Sequence, residues 1–229
     1  MLQQTQVDRV IPFYKQFIKQ FPTAKQLAAA PLSEVLTAWQ GLGYNRRAKL
    51  LHEAVTVMQD ISFLSHRMDL IRLVQELEKL PGVGPYTARA VAAFAYNADV
   101  VFVETNVRTA IIHHFYPQQE KVSDKEIEKV LEEVLPIGRA REWYSALMDY
   151  GAYLKRSGVK VNARSKHYAK QAKFEGSLRQ TRGAILKALT TKKPLANVKK
   201  DYPERFDAAL AALAHDKIIK KKEGVWSIM

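Results

Sequence analysis

Cysteine is absent from all 229 residues. Its absence excludes disulfides and every cysteine-ligated metal centre, and leaves the redox compartment open. No run of about 18 apolar residues occurs, so no membrane-spanning helix is expected. No secretory n-region or h-region stands in the sequence, and the default expectation is an intracellular, soluble protein. Acidic residues are scarce only toward the C-terminus. Residues 155–229 hold 19 Lys+Arg and 6 Asp+Glu, and residues 1–154 hold 17 of each. The net charge of +13 therefore comes wholly from the last third. A basic region of this kind suits a polyanionic partner, and the alternative is a solvated basic surface with none. At 47% hydrophobic, the chain can build a real core, as one large domain or two small ones.

Convincing strands are also missing over the first two thirds. Val7, Val10, Ile11, Tyr14, Phe17 and Ile18 recur at helical spacing and predict a helix over residues 3–20. Thr23 suits the cap of a short helix, and another starts at Leu32 and is broken by Gly41 and Gly43. Further helices are expected over 46–58, 69–80, 86–96, 106–115, 124–135 (capped by Ser123) and 141–154. The pattern is mostly α with short connections.

Two stretches organise the chain. The first is LPGVGPYTA, residues 80–88, between two apolar helical runs. Glycine permits the positive φ of a tight hairpin and a close backbone approach. Pro85 fits the first turn of the following helix. Amides at such a helix start suit a phosphate, although the same residues also read as an ordinary interhelical turn. The second is VETNVR, residues 103–108. Glu104 follows the apolar, β-prone, buried-looking run 100–103 and precedes a helix. It reads either as a cap or as a fixed carboxylate serving chemistry.

LPGVGPYTA resembles the hairpin of the helix-hairpin-helix base-excision DNA glycosylases. The opening MLQQTQV, followed by Gly41, Leu42, Gly43, Tyr44, Arg46, Arg47 and Leu50 at the matching spacing, resembles one branch, the A/G-specific adenine glycosylases (MutY-like). The resemblance covers roughly residues 1–155. It implies a glycosylase that hydrolyses the N-glycosidic bond of adenine mispaired with 8-oxoguanine or guanine, in base excision repair. Its partner would be double-stranded DNA carrying a mismatch or an oxidised guanine. The chain is expected to act as a monomer, in the cytoplasm or on the nucleoid, without a membrane.

The resemblance also implies roles. Gln3, Gln4 and Thr5 would meet the lesion pair, with a glutamine entering the stack. Tyr44 would be an aromatic wedge beside the guanine-type base, Leu42 would lie with it at the DNA, and Arg46 and Arg47 would meet phosphates. Such wedges offset the few kcal/mol that base extrusion costs. Gly82, Val83, Gly84 and Thr87 would hold a phosphate. Glu104 would stabilise the developing sugar cation or trap it covalently, with Asn106 orienting it. Tyr86 would shape the sugar pocket.

Four departures matter. Glu104 stands where the family has aspartate, one methylene shorter. Tyr86 stands where bifunctional relatives of the endonuclease III type carry a Schiff-base lysine; tyrosine cannot form that adduct, and the Arg89 guanidinium stays protonated, so a monofunctional enzyme is expected. The family's general-acid glutamate, which protonates adenine, lies two residues before the methionine matching Met1, so a truncated chain is expected. Where the family begins a four-cysteine iron–sulfur loop, this sequence has Lys155, Arg156, Lys160, Arg164, Lys166, His167, Lys170 and Lys173. No cofactor and no metal are therefore expected. The segment reads as a basic strap that contacts the DNA backbone or as a plain linker.

The expected domains are a glycosylase domain over 1–155, a basic connector over 156–174 and a winged-helix-like domain over 175–229. In the last, Ser177 or Thr181 caps a first helix, 195–202 forms a second and 206–215 a third. Ile218-Ile219 and 225–228 form two strands, joined by a turn over 220–224. The third helix carries Asp207 and several alanines, which argues against base reading by it; the lysines of the wing suit phosphate. Two rival functions remain: a thymine-mismatch glycosylase of the same superfamily, and a non-catalytic DNA-binding module.

Overall fold

A computed structural model describes residues 1–3, 5–59, 69–168 and 173–229. Contacts group the chain into two compact units, Met1–Phe63 with Ala172–Met229, and Leu64–Gln171. This grouping cuts the chain differently from the sequence-based division at 155 and 175. Twelve α-helices and one two-stranded sheet occur among the described residues, and none of these helices is long and apolar enough to cross a membrane. The fold is mostly α.

The first unit joins the two ends of the chain. Helices α1 (Val7–Gln20), α2 (Ala24–Ala29), α3 (Leu32–Ala38) and α4 (Arg46–Gln59) come from the N-terminal part. Helix α1 begins at Val7 rather than residue 3, because Gln6 is extended and its side chain makes no cap. Thr23 does cap α2, accepting from the Gln26 amide at 3.2 Å. Phe17, Trp39, Val35 and Leu36 build a core that continues without a break into Ile185, Leu186, Leu213 and Ile218 of the C-terminal part. The edge-on ring pair Phe17–Trp39, 5.9 Å between centroids, sits in it.

The C-terminal part completes this unit. The 13-residue helix α10 (Leu178–Thr190) is capped by Ser177, while the alternative cap Thr181 is fully buried. It is followed by α11 (Leu195–Asp201) and α12 (Phe206–His215). Strand β1 (Ile219–Lys222) pairs antiparallel with β2 (Val225–Ile228), Ile219 opposite Ile228 and Lys222 opposite Val225. The expected long turn is only Glu223-Gly224, both at positive φ, as a two-residue hairpin with right-handed strand twist requires. Lys220, Lys221 and Lys222 thus lie on a strand rather than in a loop.

The second unit holds α5 (Leu70–Glu78), α6 (Pro85–Tyr96), α7 (Thr105–Phe115), α8 (Asp124–Val134) and α9 (Ala140–Arg156), then a 3₁₀ turn, Val161–Arg164. Its core runs through Phe102, Val107, Ile111, Ile127, Leu131 and Tyr144. Ser123 and Glu126 form a reciprocal capping box at α8, and these hydrogen bonds hold the Glu126 carboxyl down at about 2. The run 100–103 is not a strand. Among the described residues no second strand lies beside it, and two of its polar groups go instead to a side chain: the buried Tyr144 hydroxyl donates to the Val100 carbonyl at 3.0 Å and accepts from the Phe102 amide at 3.2 Å.

The α7–α9 packing places the chemistry-bearing residues, and one glycine permits it. A Cβ on Gly151 of α9 would stand 2.1 Å from the Asn106 carbonyl oxygen and 2.8 Å from its Cα. No flexible side chain is there to yield. Gly183, inside α10, has nothing within 4 Å of the same hypothetical atom. Gly151→Ala is therefore expected to cost about 1–3 kcal/mol through overpacking. Gly183→Ala is expected to add about 0.5–1 kcal/mol, since alanine loses less chain entropy in a helix. Thermal denaturation of the two variants checks the opposite signs.

Candidate functional site

In the second unit the hairpin forms as its residues dictate. Leu80 is buried, the Val83 amide donates to the Leu80 carbonyl at 3.1 Å, and Gly82 takes φ 74°. Gly84, at φ −94°, ψ 178°, is the extended N-cap of α6. Its value is the missing side chain. Pro85 occupies the first turn, and no side chain caps this helix end. Gly82, Val83, Gly84 and Thr87 thus surround an uncapped, dipole-positive terminus of the kind that takes a phosphate.

Tyr86 stands in the first turn of α6 and is 39% exposed. Its ring meets Phe102 edge-on at 5.8 Å, and Phe102 stacks on Tyr144 at 4.0 Å. Burial, and then the Glu104 carboxylate, push the Tyr86 hydroxyl up to about 12. Tyr86 stays a neutral hydrogen-bonding phenol at working pH.

Of the two readings the sequence left open for Glu104, the structure shows the cap. Glu104 is the N-cap of α7, its Oε2 accepting from the Asn106 amide at 2.6 Å. The same bond fixes a carboxylate at the mouth of a helix, where the dipole favours its charge. Asn106 is fixed in turn: its Oδ1 accepts from the Lys155 ammonium at 2.6 Å. Burial pushes Lys155 below its ordinary pKa, Glu104 opposes that, and Arg108 adds to the lowering. Arg108 itself is committed to α8 by a fork, Nε and one terminal nitrogen each 2.9 Å from an Asp124 carboxylate oxygen. Tyr86, Glu104, Asn106, Lys155 and Arg108 form one charge-coupled group carried on α6, α7 and α9.

Lys155 and Gly151 were missed as site residues. Lys155 read as one lysine of a basic strap. The usable signal was their spacing: four apart on α9, they share a face, and the glycine brings that face onto α7. Nor is the strap a plain linker over its described length. Asn162 accepts from Thr109 at 3.1 Å, Arg164 donates to the Gln119 carbonyl at 2.7 Å and to that of Tyr116, and Ser165 bridges Val122. Its residues do not fit a cysteine-ligated cluster. Among the described residues, no three His, Cys, Asp or Glu are grouped to hold a metal.

In the first unit, Gly41 and Gly43 take φ 96° and 74° and bring the loop back toward α4. Arg47 gathers it. Its guanidinium donates to the carbonyls of Met1 at 3.1 Å, Gln3 at 2.6 Å and Gly43 at 3.3 Å, and to the Thr5 hydroxyl at 3.5 Å. Arg47 thus draws the Gln3–Thr5 segment to the Tyr44 loop, rather than pointing to solvent. Gln4 lies outside the described residues. Leu42 is 4% exposed and belongs to the core, so its side chain does not face DNA. Arg46 is exposed, 3.7 Å from Asp216. Tyr44 has φ 50° and carries two guanidinium groups on its ring: Arg47 at 5.4 Å and Arg179 of α10 at 5.2 Å.

Residues 1–136 match the family described as HhH-GPD superfamily base excision DNA repair protein. The chain is 36% identical over 244 residues to the adenine DNA glycosylase of Mycolicibacterium smegmatis, covering 96% of this chain and 82% of that protein. It is 45% identical over 111 residues to the adenine DNA glycosylase of Mycobacterium tuberculosis, covering 48% of this chain and 35% of that one. The adenine DNA glycosylase of Homo sapiens is 42% identical over 108 residues, 47% of this chain and 19% of that protein.

The coupled group predicts a paired response. Removing the charge in Glu104→Gln deprives Lys155 of the anion that raises its pKa and Tyr86 of the anion that opposes phenolate formation. Both groups are expected to titrate at lower pH than in the wild type, by NMR of the lysine Cε and tyrosine Cζ. Unmoved titrations would contradict the coupling.

Proposed function

Because the chain belongs to the HhH-GPD superfamily of base excision DNA repair proteins, we propose that it is a monofunctional adenine DNA glycosylase acting on adenine opposite 8-oxoguanine or guanine. The observation that carries the reading is the Glu104 carboxylate. It is pinned to the start of α7 with Asn106 and Lys155 behind it and a neutral Tyr86 beside it. The substrate is duplex DNA, and the target nucleotide must leave the stack to be reached.

The residues then divide the work. The uncapped start of α6 holds a backbone phosphate near the extruded nucleotide. As the N-glycosidic bond breaks, positive charge develops on the sugar, and Glu104 stabilises it from a fixed position at no reorganisation cost. The added methylene of glutamate is taken up locally, because its oxygen turns back onto the α7 amide rather than extending. Asn106 keeps that turn of α7 in register through Lys155. Tyr86 borders the sugar and has no amine to trap the aldehyde of the abasic product. Gln3, Thr5 and Tyr44 form the surface against the mispair.

The protein works without an iron–sulfur cluster in this reading. The strap accepts from Thr109 of α7 through Asn162 and donates to the loop after α7 through Arg164, which is the bracing a metal-bound loop would otherwise supply. The protein acts as a monomer on DNA.

A mismatch panel tests the substrate. Adenine release opposite 8-oxoguanine and guanine, with none of thymine from G·T, is expected; the reverse selects a thymine glycosylase, and binding without any release selects a DNA-binding module. Borohydride treatment during turnover is expected to trap no protein–DNA adduct. A trapped adduct would contradict the monofunctional assignment and implicate Lys155.

A further inference from the structure

The C-terminal winged helix is the part that the proposed reaction leaves unused. Its third helix, α12, carries Asp207 and alanines and is the helix least suited to a major groove. The cations that matter are on its first helix. Arg179 of α10 donates to the Tyr44 hydroxyl, and its guanidinium lies 5.2 Å over the Tyr44 ring. On its other side it meets the Phe174 ring at 6.0 Å. One turn on, Arg182 pairs with Asp216, whose side chain is only 12% exposed and which Arg46 of α4 also approaches. Gln40 donates to the Thr190 hydroxyl at the far end of the same helix.

Tyr44 needs such support. A tyrosine at φ 50° is in the left-handed region that side chains disfavour, and such a residue persists only where its surroundings over-determine it. Here they do. Arg47 and Arg179 both lie against the ring, the first from the N-terminal helices and the second from the C-terminal domain. The shared core of Ile185 and Leu186 with Val35, Leu36 and Trp39 keeps α10 from moving independently.

We propose that the winged-helix domain is a working part of mispair recognition, and that Arg179 is a positioning residue that holds Tyr44 in its wedge orientation. This rests on the reading of Tyr44 as the DNA wedge. In this arrangement the domain reads no bases with its third helix. It braces the residue that enters the duplex, against the force of the displaced stack.

The test is equilibrium binding to two duplexes. One carries 2′-fluoro-adenosine opposite 8-oxoguanine, the fluorine blocking cleavage by destabilising the sugar cation; the other is fully paired. Wild type, Tyr44→Ala, Arg179→Ala, Arg179→Lys and the Tyr44→Ala/Arg179→Ala double variant are compared, each checked for folding by thermal denaturation. Tyr44→Ala is expected to lower the mispair preference by about tenfold, the scale of one stacking contact. Arg179→Ala should lower it nearly as much, with binding to the paired duplex and its salt dependence unchanged. Arg179→Lys should rescue little, since the planar fork is lost. In the double variant the arginine change should add nothing.

Additive losses, or equal weakening on both duplexes with a shallower salt slope, would overturn the proposal in favour of a plain phosphate contact. Aromatic carbon shifts of Tyr44 in Arg179→Ala separate the two claims. Unchanged shifts overturn the clamp. Changed shifts with mispair preference intact in Tyr44→Ala overturn the wedge reading instead.

Discussion

Gly151 has no side chain, and that is what lets α9 lie on the backbone of α7 at Asn106. The contact is between main chains, so nothing in it can adjust by a rotamer change. One turn beyond, Lys155 reaches the Asn106 carboxamide; one residue before Asn106, α7 begins; at that beginning sits Glu104. The Glu104 carboxylate thus inherits its position from a helix crossing rather than from a flexible loop. Arg108 completes the restraint from the other side by tying α7 to the start of α8. The electrostatics follow the geometry: burial lowers the pKa of the half-buried Lys155 and raises that of the Tyr86 phenol, and the Glu104 carboxylate acts to raise both.

The loop proposed to meet the mispair is braced as well. Arg47 brings the first residues of the chain to the Gly41–Tyr44 loop, and α10 reaches the same loop through Arg179. The C-terminal basic region is therefore more than a reservoir of charge. Part of it, at Arg164, holds the Tyr116 and Gln119 carbonyls just after α7; Arg179 lies on Tyr44 in the loop before α4, and Arg182 pairs with Asp216, which Arg46 of α4 also approaches. The surplus of 13 positive charges suits a polyanionic partner.

Much of this was legible in the residues. Period-3.6 spacing found the helices, Ser123 and Thr23 marked their caps, and the two glycines with Pro85 located the hairpin. Those signals are local, which is why a sequence carries them. Glu104 and Asn106 were found through a short motif, and of the two readings offered for Glu104 the structure shows the cap, whose hydrogen bond also fixes the carboxylate in place. What was not legible is long-range. Run 100–103 has strand-like residues, yet the hydrogen bonds it needs come from Tyr144, more than 40 positions away. Leu42 sits in a loop that resembles a DNA-facing one, but its own side chain is core. Lys155 and Arg179 each looked like one cation among many; only their partners, 49 and 135 residues distant, single them out. Charge runs hide individual ion pairs because composition records the charge and not the partner.

The account stands on the claim that Glu104 is fixed where sugar charge develops. The direct measurement is single-turnover release of adenine opposite 8-oxoguanine by the wild type and by Glu104→Gln, with duplex binding followed in parallel. The glutamine can still accept from the Asn106 amide, so the cap and the fold are retained while the charge is lost. A fall of at least about 100-fold in the release rate is expected, as for loss of one preorganised electrostatic group, with binding unchanged. Equal rates in the two proteins would contradict it.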